Sequence, residues 1–168
     1  GLGRFVTAAA ALDTGSSFEG MGASREVAFA SFAEPALILS VAALAGSTGS
    51  LSLSGMFSGA AWSSFGAGMV LIVGSLFLVL LAENSRIPVD DPATHLELTM
   101  VHEVMVLDHG GPDLAFILYG SSVKLLLFAV LLTQAVLPLG SLPKFAAAGA
   151  LAGGVLTVTV GVGLVESL

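Results

Sequence analysis

Five apolar stretches, separated by short polar segments, organise this chain of 168 residues. Four of them, at about 27–46, 62–82, 113–138 and 145–165, approach the roughly twenty residues that a helix needs to cross a bilayer's hydrocarbon core. The fifth, at about 1–12, is too short to cross and reads as part of a helix. No charged start or small-residue cleavage site marks it as a signal peptide. Lipid offers backbone polar groups no partners, so runs of this kind predict an all-α fold, a polytopic transmembrane helical bundle forming one membrane domain over 1–168. The connection Ser47 to Ala61 is rich in Ser and Gly and carries no charge, and 139–144 is a short turn bracketed by Pro138 and Pro143. On the last span, Gly149, Gly153, Thr157 and Gly161 repeat every four residues, a small-residue face suited to close helix contact.

The charges are unevenly placed. Threading the spans back and forth puts Asp13 to Glu26, Glu83 to Asp113 and Glu166 on one side of the membrane, against Lys144 alone on the other. Segment 83–112 forms a charged loop with a short helix, since Asp91 is a good cap and Pro92 a good first helical residue, extending to about Leu107. On that helix His95, Thr99, His102 and Glu103 share a polar stripe, whereas Glu97 falls on the apolar side with Val101 and Val104. Three ionisable residues lie inside apolar stretches. Arg4 is roughly 13 Å from Asp13, Glu34 roughly 13 Å from Arg25, and Lys124 roughly 16 Å from Asp113 along their helices. Their similar depth points to a lateral polar path, because a charge within the bilayer is costly unless paired or hydrated. A static Glu34–Lys124 or Glu34–Arg4 pair would be the structural alternative. Pro35 cannot donate to the Ser31 carbonyl, which leaves an acceptor for water beside Glu34.

Composition narrows the function. Hydrophobic residues make up 55% and charged residues 10%, with a mean hydropathy of +0.99. A soluble domain has about a quarter of its residues charged. The formal charge of −7 and the scattered five cations exclude a phosphate-tracking nucleic-acid surface. With no cysteine, the chain forms no disulfide and gives no thiolate to an iron–sulfur cluster, so a redox centre would sit on a partner. His102-Glu103 with His109 has the wrong spacing for a helical zinc site, and no phosphate loop, nucleophile elbow or triad pattern occurs. No catalytic centre and no metal site are expected on this chain.

The run from Ala82 to Leu98 supplies Glu83, Arg86, Pro88, Asp90, Pro92 and Glu97 at fixed spacing just after a spanning stretch. It resembles the signature of the complex I subunit 1 family, and the continuation Thr99 to Leu107 is similar to the membrane-bound [NiFe] hydrogenase branch of formate hydrogenlyase type. Arg25 and Glu34 also match the family pattern. Quinone-reducing complex I members have further glutamates where this chain has Ala93, His95 and Ser121, and Lys124 fits the hydrogenase branch. The resemblance implies a fragment from the middle and later part of an eight-helix inner-membrane (plasma-membrane) subunit, with its charged loops in the cytoplasm. Arg25, Arg86, Asp90, Glu97 and Glu103 would then face the redox partner, while Glu34, Lys124, Arg4, Glu83 and Glu97 would form an ion path. Implied partners are the hydrogenase large and small subunits, iron–sulfur subunits and an antiporter-like membrane subunit. The [NiFe] centre and the clusters would sit on those partners. A quinone-site subunit of NADH-quinone oxidoreductase and an independent secondary ion transporter are the rival expectations.

Overall fold

The computed structural model describes residues 2–57, 63, 66–87, 89–90, 104–107, 109–137 and 139–167. In chain order the helices are α1 (Leu2–Asp13), α2 (Ser17–Thr48), the single turn α3 (Leu53–Met56), α4 (Ala67–Glu83), α5 (Gly111–Val136) and α6 (Lys144–Glu166), with a 3-10 turn at Leu139–Ser141 before α6. Among the described residues every regular element is helical, and the fold class is all-α.

Three helices, α2, α5 and α6, are long and apolar enough to cross a membrane. The stretch expected at 62–82 is represented by α4, which has 17 residues and a length of roughly 25 Å. The run expected at 27–46 lies inside a helix that begins ten residues earlier, at Ser17. Its 32 residues extend for roughly 48 Å, well beyond the hydrocarbon thickness. Local chemistry explains the early start. Gly15, with φ at +70°, turns the chain after α1, and the Ser16 carbonyl accepts the first helical hydrogen bond from the Gly20 amide at 3.0 Å. Glu19, fully buried in the first turn, accepts from the Thr14 hydroxyl and lies where the helix dipole favours an acid. The short helix expected from Pro92 to about Leu107 lies largely outside the described residues.

The chain packs as two compact units, residues 1–34 with 81–124, and residues 35–80 with 125–168. In the first unit Ala8, Ala11, Ala23 and Met105 form a buried cluster. Alanine side chains suit close helix contact, and the flexible Met105 side chain completes the cluster. In the second unit Met69, Ile72, Leu76 and Val79 line one face of α4 and are buried, and the Ser40 and Ser75 hydroxyls pair at 3.1 Å. Many large apolar residues nevertheless remain exposed, including Phe32 and Ile38 on α2, Leu71 on α4, Phe116 on α5 and Leu156 on α6. Each such side chain would cost about 1.5–3 kcal/mol in water, a cost that lipid removes.

Charge separates sharply between the units. Residues 35–80 contain no Asp, Glu, Lys or Arg, and 125–168 contain only Lys144 and Glu166, so Arg4, Glu34 and Lys124 all belong to the first unit. Among the described residues, the Gly149, Gly153, Thr157 and Gly161 stripe makes no close helix contact. A Cβ on any of its three glycines would meet nothing within 4 Å. The close approach is made one position further on, where Gly154 lies against Thr133 of α5.

Candidate functional site

The first unit holds a cleft of about 410 Å³ with a mixed wall. Gly3, Arg4 and Thr7 come from α1, Glu26 from α2, and Glu83, Asn84 and Ser85 from the end of α4. Met105 and Val106 precede α5, and α5 itself contributes Ile117, Gly120, Ser121 and Lys124. The α5 positions follow i, i+3, i+4, i+7, the spacing of a single helical face. Gly120 leaves that face open, since no heavy atom lies within 4 Å of where its Cβ would be.

Four ionisable side chains in this cleft form an alternating chain. Arg4 Nε lies 2.9 Å from Glu26 Oε1, Arg4 Nη2 lies 3.1 Å from Glu83 Oε2, and Lys124 Nζ lies 3.0 Å from the same Glu83 oxygen. Side-chain exposure is 12% for Glu26, 10% for Arg4, 8% for Glu83 and 33% for Lys124. The formal charges of this set sum to zero, which is the condition under which buried ions are tolerated. The Arg4 Nε–H is not aligned on Glu26, so that contact is an ion pair rather than a hydrogen bond, and Nη1 is buried with no hydrogen-bond partner among the described residues.

The end of α4 fixes Glu83. The Arg86 amide donates to the Leu81 carbonyl at 2.9 Å and the Ser85 amide to the Ala82 carbonyl at 3.4 Å, the paired bonds of a Schellman cap. Arg4 Nη2 also donates to the Ala82 carbonyl at 3.4 Å, so the guanidinium sits at the negative end of the helix dipole. Ser85 occupies the left-handed cap position with φ at +49°, where glycine is the usual residue. Ser85→Gly is accordingly expected to raise stability by about 0.5–1 kcal/mol, seen as a higher thermal midpoint in detergent. A decrease would show that the Ser85 side chain itself stabilises the cleft.

Of the residues singled out by sequence, Arg4, Glu83 and Lys124 meet here. Glu34 lies on α2, partly buried, and is not among the residues lining the cleft. Arg25 and Arg86 are half-buried and Asp90 is buried, and none of them is among the residues lining the cleft. Glu97 and Glu103 lie outside the described residues. Glu26, which does not stand out in the sequence pattern, supplies the α2 carboxylate. Its position two turns before Glu34, at the edge of an apolar run, was the available signal.

A family model described as NADH dehydrogenase matches residues 1–165 of this chain. The chain belongs to this family of complex I-like membrane subunits. It is also similar to hydrogenase-4 component C of Escherichia coli (strain K12), with 33% identity over 141 residues, covering 83% of the chain and 44% of that relative. The chain therefore spans less than half the length of this curated relative. No solved structure matches it. Family membership together with three helices suited to crossing a bilayer makes it a membrane protein. The four ionic cleft residues all lie within the matched region.

Proposed function

We propose that the full-length subunit is the multi-pass, inner-membrane anchor of an energy-converting [NiFe] hydrogenase of formate hydrogenlyase type, linking electron transfer in docked subunits to proton or Na⁺ movement. The observation that carries this reading is the Glu26–Arg4–Glu83–Lys124 chain, set in a cleft of an apolar protein with a hydrogenase component among its relatives. The hydrogenase large and small subunits and the iron–sulfur subunits would supply the redox chemistry, with an antiporter-like membrane subunit alongside. This chain holds charge. Arg25, Arg86, Asp90, Glu97 and Glu103 face the redox partner on the cytoplasmic side. A charge change there alters the balance at Glu97 and Glu83, and the shift passes to Arg4, Lys124 and Glu34. A nearby cation favours an ionised carboxylate and desolvation opposes it, so moving one cation loads or unloads a proton.

The test is reconstitution of the purified complex in vesicles, with electron transfer and ion uptake measured together. Glu83→Gln is expected to lower ion uptake per electron by about tenfold or more, as loss of a positioned proton-carrying group does. Retention of the redox subunits is measured alongside. Wild-type coupling in this variant, with the complex intact, would overturn the reading. Co-purification with quinone-reducing partners in place of hydrogenase subunits would replace it with the quinone-site alternative.

A further inference from the structure

Two cations share one oxygen in the cleft, but their circumstances differ. Arg4 is nine-tenths buried and is held by Glu26, by Glu83 and by the Ala82 carbonyl at the end of α4. Lys124 is one-third exposed and, among the described residues, is held by Glu83 Oε2. Removing Arg4 from Glu83 breaks a network that also caps a helix. Removing Lys124 breaks, among the described residues, the contact with Glu83, and its long flexible stem lets the ammonium shift within the cleft while the methylenes stay against apolar surface.

We propose that Lys124 is a displaceable counter-cation, so that Glu83 exchanges the ammonium for a small monovalent cation, Na⁺ or a proton, entering by the cleft. The proposal deepens the ion-moving function above and rests on it. The set then keeps a net charge of zero, with Arg4 fixed and either Lys124 or the entering ion balancing the second carboxylate. Charge balance enforces the exchange. Glu26 and Glu83 already face Arg4 and Lys124 one for one, and a fifth charge packed among them would be an uncompensated ion in a largely buried site. A proton bound to Glu83 neutralises the carboxylate and removes the attraction that holds Lys124. A bound Na⁺ satisfies the same oxygen directly, with Lys124 moved outward. Ser121, one turn before Lys124, lines the same cleft, and its hydroxyl donates to the Leu118 carbonyl at 2.8 Å.

Infrared difference spectra of the detergent-purified complex test this without turnover. One arm exchanges choline chloride for NaCl at fixed pH, and the other acidifies in choline chloride. The expected result is a carboxylate band change in at least one arm that is absent in Glu83→Gln, and the responding arm identifies the ion. Lys124→Arg should move the midpoint of that change by about tenfold toward higher cation concentration, since a planar guanidinium grips a carboxylate through two hydrogen bonds and is less readily displaced. Lys144→Arg, remote in sequence on α6, serves as the control and should match wild type. In the wild-type complex, amine-directed acetylation of Lys124, read by mass spectrometry, should rise on adding NaCl if Na⁺ is the exchanging ion. No Glu83-dependent band in either arm, or an unshifted midpoint in Lys124→Arg, would overturn the proposal. A Glu83 band that responds while wild-type vesicles show no ion uptake would instead remove the transport reading and leave the exchange standing.

Discussion

Arg4→Met in the full-length chain is expected to cost about 3–5 kcal/mol of stability, the range for breaking one partner out of a buried ionic network. Arg4 is the only cation touching both carboxylates of the cleft chain among the described residues, and it caps the last turn of α4 as well. Within the described ionic chain, its loss leaves two buried acids, Glu26 and Glu83, facing one ammonium, that of Lys124. The measurement is the thermal midpoint of the purified complex in detergent, with subunit retention followed in parallel. Adding Glu26→Gln to Arg4→Met should recover part of the loss, because it removes the carboxylate left without a counter-ion. Lys124→Met should cost less, since Lys124 is one-third exposed and its removal leaves Glu83 paired with Arg4. A midpoint for Arg4→Met close to wild type would show that the ionic chain adds little to the folded state.

The different costs expected for Arg4 and Lys124 also mark how far the sequence could be read. Apolar run length alone predicted helices, and depth counted along each helix placed Arg4 and Lys124 at a similar level, where the structure has them meet. The partner joining them could not be read the same way. The apolar run ends at Ala82 and leaves Glu83 to the loop, whereas Glu83 is the last residue of α4, closed by a Schellman cap that lacks the usual glycine. Without glycine at position 85 the sequence has no local sign of that cap. Glu26 was hidden for a related reason. A charged residue beside Arg25 reads as the edge of a membrane span, yet α2 continues through it to Ser17 because helix geometry does not stop at the hydrocarbon boundary. Glu34 stands out in the sequence by its depth, but which face of α2 turns toward the cleft depends on packing, and the acid two turns earlier is the one that lines it.

Which small residue of α6 makes a close contact also depends on packing, and this leads to the second large effect. Gly154→Ala is expected to cost about 1–3 kcal/mol, whereas Gly153→Ala should be neutral or stabilise by up to about 1 kcal/mol through helix propensity. These residues are neighbours on one helix, but a Cβ at 154 would overlap Thr133 Cγ2 and lie 3.1 Å from its Oγ1 and 3.2 Å from its Cβ, while a Cβ at 153 would meet nothing within 4 Å. Thr133 has little room to retreat. It is buried, and its hydroxyl donates to the Ala129 carbonyl at 2.8 Å, which fixes the rotamer. Thr133→Ser removes Cγ2, the atom in overlap, so Gly154→Ala combined with Thr133→Ser should regain most of the lost stability. Thermal midpoints of the single and double variants form the cycle that isolates this pair. Equal effects of alanine at 153 and 154 would mean that α6 packs on a different face from the one seen here, and additivity between Gly154→Ala and Thr133→Ser would rule out the close contact itself.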